Sequence, residues 1–173
     1  MTWYLLLIAA VAVERLAELV VARRNMAWSL ARGGVEYGAG HYPFMVLLHT
    51  GLLVGCVVEA AFFARPFIPI LGWPMFAIAL AAQGLRWWCI VTLGHQWNTR
   101  VVVVPGGSRV TAGPYRRIPH PNYVAVVAEG VALPLVHTAW ITALVFTVLN
   151  AGLLRTRIRT ENRALAGLTP GPA

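Results

Sequence analysis

The 173-residue chain is 58% hydrophobic and 12% charged, with a mean hydropathy of +0.67, a balance that excludes an ordinary soluble domain and fits an integral membrane protein. Its net charge of +8 comes from arginine alone. Those arginines gather between apolar runs instead of forming one basic face, so the lipid bilayer is the expected partner and nucleic acid is not. The absence of Lys and Asp also excludes Schiff-base chemistry, a P-loop lysine and aspartate-based pumping.

Five apolar runs follow in chain order, at residues 3–21, 42–64, 67–93, 122–136 and 140–154, each near or above the length that crosses a hydrocarbon core about 30 Å thick. The last two are shortest and meet at "LPLVHTAW", read as a tight turn between spans. The expected fold is all-α, a polytopic membrane protein with five transmembrane helices. Arg23, Arg24 and Arg32 lie between the first two runs, Arg100, Arg109, Arg116 and Arg117 between the third and fourth, and Arg155, Arg157, Arg159 and Arg163 after the fifth. The opposite loops carry only Arg65, which puts the N-terminus outside and the C-terminus in the cytoplasm. The chain is expected to be multi-pass, in the plasma membrane if prokaryotic, and to form one domain over residues 1–173.

The first run ends its apolar stretch with "AVA", which resembles a signal-peptide cleavage site, but it lacks a basic leader and continues through Glu14, Arg15 and Glu18, so a retained span is expected. Cys56 and Cys89 fall at different depths, which argues against a disulfide. The final "GLTPGPA" is expected to fray. Counting from each cytoplasmic helix end at about 1.5 Å per residue, Glu14, His49, Arg86 and Glu129 all lie roughly 11–12 Å deep. This predicts one polar layer, with Arg86 paired to Glu14, Glu18 or Glu129. Such residues either glue helices together or serve function. Glu59, near the outer end of its run, is expected to reach headgroups, and Trp87, Trp88 and Trp97 either anchor at the interface or line a lipid path.

The histidines His41, His49, His95, His120 and His137 show no metal-binding spacing, nor do the two cysteines, so no metal site is expected. "GGSRVTAG" does not open a βαβ unit, and a dinucleotide fold fails on architecture. The chemistry then falls to two segments. One is "LGHQWNTRVVVVPGGSRVTAGPYRRIPHPNYVAVVAEG"; the other is "RTRIRTENRAL" after the last run. Pro119 and Pro121 flank His120 and hold an irregular loop that exposes backbone polar groups. Asn122 and Tyr123 open the next helix, whose N-terminus favours anionic groups. Arg157 and Glu161, four apart, share one helix face and present opposite charges to one pocket.

A Gly-x-Tyr turn, then His-Pro-x-Tyr entering a helix, then Arg-x-x-x-Glu after the last span resembles the isoprenylcysteine carboxyl methyltransferase family over residues 93–165. It is also similar to the branch associated with O-methylation of polyketide phenolic lipids and alkylpyrones, with "ERLAEL" and "HTGLLVGCVVE" contributing. The resemblance implies an O-methyltransferase using S-adenosyl-L-methionine, with a lipophilic acceptor that is a prenylcysteine-type carboxylate or a long-chain phenol or pyrone hydroxyl. It implies a cofactor-binding part over residues 94–165 in which Tyr115, His120, Pro121, Asn122, Tyr123 and Glu161 contact the cofactor and Arg157 grips the acceptor. Ser108, Arg109 and Val110 join the cofactor residues by their place before the Gly-x-Tyr turn. A phenol or enol acceptor would gain from a base, for which His95, His49 and Glu129 are candidates. Two residues depart from the pattern: Pro119 stands where many members carry Arg, and Asn162 where a second Glu is common. The competing expectation is a non-enzymatic membrane subunit or small-solute carrier, with Glu14, Arg86 and Glu129 as a charged relay.

Overall fold

The computed structural model describes residues 1–166; the terminal "GLTPGPA" lies outside the described residues. Among the described residues, five α-helices form in chain order: α1 (Thr2–Leu30), α2 (Tyr42–Phe62), α3 (Pro69–Leu93), α4 (Pro121–Leu135) and α5 (Trp140–Leu165). Two three-residue strands, β1 (Val35–Tyr37) and β2 (Val101–Val103), pair antiparallel with Glu36 opposite Val102. Among the described residues, three helices are long and apolar enough to cross a membrane: Ala39–Phe62, Pro69–Gln96 and Trp140–Leu165. The other two differ for visible reasons. α1 carries Glu14, Arg15, Glu18, Arg23 and Arg24, and α4, with 15 residues, reaches only about 22 Å at helical rise.

α4 is the inner helix, packed against α3 and α5, while α2 packs on α5 and α1 on α2. Its Ala125, Glu129, Gly130, Ala132 and Leu133 are all buried. A Cβ at Gly130 would overlap the Phe146 ring, so glycine there is what lets α5 approach so closely. Tyr4, Ile8 and Val11 of α1 join Leu52, Cys56, Leu133 and Phe146 in the main core, which makes the N-terminal helix an integral part of the bundle. Large apolar side chains such as Ile70, Val91 and Phe62 point outward, as a lipid-facing surface requires. Cys56 and Cys89 are buried free thiols, and the tight turn expected between the last two helices occupies residues 136–139.

The polar layer is present and its pairing is specific. Arg86 holds Glu18 through two hydrogen bonds, Nε to Oε1 and Nη2 to Oε2, the latter at 2.7 Å. Arg15 bridges Glu18 and Glu129. Glu14 accepts from Gln83 and from Trp87 Nε1. Each carboxylate is answered by a donor on another helix, and the cluster ties α1, α3 and α4 together. Two expectations are corrected. Glu59 does not reach headgroups: it is buried and accepts from the Ile141 and Thr142 amides at 3.1 and 2.7 Å, capping α5. Trp97 is not an interfacial anchor, being buried against Ala22 and Ile90.

Candidate functional site

The site lies where the chain from α3 to α4 folds over the end of the bundle that carries most of the arginines. Asn25 of α1 pins the start of that segment, donating to the carbonyls of Gly94 and Trp97 at 3.1 and 2.7 Å. β2 then pairs with β1, and the loop beyond it returns to α3 at Gly113. That residue has φ +55°, and a Cβ there would meet Thr92 Oγ1 at 2.7 Å, so only glycine makes the turn and the close approach together. The Tyr115 hydroxyl sits beside the Cys89 sulfur, and burial pushes its pKa up, which keeps it a neutral donor. Pro121 occupies the first position of α4, where its missing N–H costs nothing.

These elements enclose a cavity of about 190 Å³. Ser108, Arg109, Val110, Tyr115, His120, Asn122, Tyr123, Arg157 and Glu161 all line it, as does Pro119. Pro121 is buried behind the wall. Within the cavity, four side chains form a chain of contacts. Arg157 Nε donates to the Tyr123 hydroxyl at 2.9 Å, and that hydroxyl donates to Glu161. The arginine and glutamate that share a face of α5 are thus joined through a residue of α4. His120 stacks on the Tyr123 ring with centroids 5.2 Å apart, its Nδ1 3.5 Å from Glu161 Oε1. Its Nε2 donates to Asn162 Oδ1 at 3.0 Å. With both ring nitrogens facing oxygens, the Glu161 hydrogen bond above all raises the His120 pKa, against a smaller opposing effect of burial. Asn162, where the pattern had a second Glu, is what the far side of this imidazole binds.

One residue here, Asn98, was not singled out in the sequence. Among the described residues, Asn98 Nδ2 and Oδ1, Asn122 Oδ1 and Trp97 Nε1 are buried without a partner, and all three residues line the cavity. Buried polar atoms are almost always hydrogen-bonded, so this concentration marks a place built for a polar ligand. Asn98 carried no signal in the sequence beyond its position in a polar loop. It counts only because that loop folds beneath α4. His95, one of three candidate bases, stacks on Trp28 with centroids 5.0 Å apart and is exposed. Glu129 is taken by Arg15 and Gln83.

Residues 75–167 match the model of the isoprenylcysteine carboxyl methyltransferase (ICMT) family, a span that holds the cavity's main walls from the end of α3 through α5. The uncharacterized protein YpbQ of Bacillus subtilis (strain 168) is 38% identical over 161 residues, covering 92% of this chain and 95% of that protein. An uncharacterized protein of Haemophilus influenzae is 23% identical over 168 residues, 94% of each chain. No solved structure matches the chain significantly.

Proposed function

The chain belongs to the isoprenylcysteine carboxyl methyltransferase family, and from that premise we propose that it is an S-adenosyl-L-methionine-dependent O-methyltransferase acting on a lipophilic acceptor at the cytoplasmic membrane face. The observation that carries this reading is the cavity itself. It joins an anionic wall, Glu161 with His120 and Tyr123, to a cationic one, Arg157, and leaves Asn98 Nδ2 and Oδ1 and Asn122 Oδ1 without partners among the described residues. That donor set suits a zwitterionic nucleoside ligand. Glu161 takes an ammonium or ribose hydroxyls, the asparagines meet its remaining polar edges, and Tyr115, His120, Tyr123, Ser108, Arg109 and Val110 complete the enclosure.

When bound, the cofactor supplies an electrophilic methyl on a sulfonium sulfur. The chain's own contribution is positional. Arg157, only 7% exposed and fixed by Tyr123 and by Met45 Sδ at 3.0 Å, holds an acidic acceptor group by its fixed donor fork. The low-dielectric surroundings strip water from that group, which raises its nucleophilicity and aligns it for in-line transfer. The excess of arginines at this face supports the cytoplasmic assignment.

The test is labelled methyl transfer from S-adenosyl-L-methionine to a panel of farnesylcysteine derivatives, alkylresorcinols and alkylpyrones, followed by base treatment: methyl esters hydrolyse, aryl ethers persist. Glu161→Ala should weaken cofactor binding, whereas Arg157→Ala should chiefly impair acceptor turnover. Equal loss of both properties in each variant would contradict these roles.

A further inference from the structure

His49 lies on α2, outside the residues that match the family, and faces a second cavity of about 60 Å³. That cavity shares Trp97, Asn98, Asn122, Tyr123 and Arg157 with the cofactor cavity, so the two are neighbouring chambers with Arg157 and Tyr123 in the common wall. His49 Nδ1 lies 2.9 Å from the Met45 carbonyl oxygen. A carbonyl only accepts, so Nδ1 carries the hydrogen and Nε2 keeps its lone pair. The same Met45 receives Arg157 Nη1 on its sulfur, and one residue thereby sets both the imidazole and the guanidinium. From α3, Arg86 lines this chamber too. Its Nε and Nη2 are taken by Glu18, but Nη1, on a residue 8% exposed, is buried without a partner among the described residues. Asn150 and Leu154 belong both to this chamber and to an apolar groove of about 490 Å³ along α4 and α5.

Resting on the methyltransferase reading above, we propose that His49 is the general base of the transfer and that the acceptor is a long-chain phenol, its ring hydroxyl in the small chamber and its alkyl chain in the α4–α5 groove. A carboxylate, with a pKa of about 4, arrives ionised and has no use for a base; a phenol, near 10, arrives with its proton. A basic nitrogen in a chamber lined by two guanidiniums, one of them with an unmatched N–H, is surplus for the first acceptor and complete for the second. In the step, His49 Nε2 takes the hydroxyl proton while the oxygen's electron pair forms a bond to the methyl carbon of the sulfonium donor. The carbon–sulfur bond breaks with its electrons left on sulfur, which becomes a neutral thioether. The positive charge ends on the imidazolium, which returns its proton to water. Arg86 and Arg157 hold the oxyanion as it forms. The charged groups around His49 are Arg15 from α1, Arg86 from α3, Glu129 from α4 and Arg157 from α5.

The experiment uses the purified full-length protein with His49→Phe and His49→Gln, each first checked for binding of S-adenosylhomocysteine. Calorimetry on the protein loaded with that product compares a 4-alkylphenol with its methyl ether. The phenol should bind about tenfold more weakly to His49→Phe than to wild type, with the ether unaffected, because only the phenol donates to Nε2. Turnover of the phenol at pH 7 should fall by about 10²- to 10⁴-fold in both variants, and should recover as the pH approaches the phenol's own pKa. Three results would overturn the proposal: wild-type protein that methylates an alkyl carboxylate and not the phenol, variants that methylate the phenol at the wild-type rate, or a loss that alkaline pH does not rescue. Wild-type protein that fails to bind S-adenosylhomocysteine would overturn the methyltransferase reading itself.

Discussion

Replacing Tyr123 by Phe removes one oxygen from the junction between Arg157 and Glu161. The hydroxyl makes two hydrogen bonds, each to a charged partner, one accepted from Arg157 Nε at 2.9 Å and one donated to Glu161. The two partners respond differently. Glu161, whose side chain is 26% exposed, recovers much of its loss from water, whereas Arg157 is 7% exposed and keeps a buried N–H with no acceptor. Hydrogen bonds to charged groups contribute about 1.5–3 kcal/mol, and a stranded buried donor costs about 1–3 kcal/mol. With the Arg157 side dominating, the expected loss is about 2–3 kcal/mol. If it falls on transition-state positioning, kcat/KM drops by about 30- to 140-fold, at 1.4 kcal/mol per factor of ten. Steady-state labelled-methyl transfer measures this, with calorimetry of S-adenosylhomocysteine binding alongside. Wild-type kinetics together with an unchanged melting temperature would refute the idea that the hydroxyl organises both charges.

The His120–Glu161 contact should make stability depend on pH. A histidine pKa raised by folding contributes fully below its unfolded value, about 6.5, and the contribution is lost as pH rises through the folded value; the difference in melting temperature between wild type and His120→Gln should therefore shrink from pH 6 to pH 9, and a constant difference would refute it. Gly130→Ala pushes a methyl into the Phe146 ring and should cost about 1–3 kcal/mol as overpacking, read as a lower melting temperature in detergent. Glu59→Ala strips the cap from the first α5 amides and should cost about 1–2 kcal/mol. It should leave methyl transfer intact below the melting range, because Thr142 and Arg157 are separated by about 22 Å of helix.

The helices were legible because apolar runs of membrane length have few other solutions. Their ends were not. Arg23 and Arg24 read as the start of a loop, yet arginine is a good helix former, and α1 continues to Leu30. In the same way α5 runs on past Arg155 to Leu165, which is what places Arg157 and Glu161 on one rigid face. The β1–β2 pair was invisible, since three-residue strands show no period and their partners are far apart in the chain. Depth counting found the charged layer and its Arg86–Glu18 pair but missed the rest of the wiring, because Arg15 and Gln83 do the remaining joining. Glu59 was placed at the right end of α2 but with the wrong outlook: the α5 amides offered its carboxylate better partners than headgroups did. At the site, the prolines around His120 correctly marked an irregular wall. Asn98 and Asn162 gained meaning only once the loop was folded against α5.

The most direct measurement is calorimetric titration of the purified, full-length protein with S-adenosyl-L-methionine and S-adenosylhomocysteine. Saturable binding near one equivalent, weakened by Glu161→Ala, is the predicted result; no heat of binding with either ligand under conditions where the protein remains folded would contradict the account.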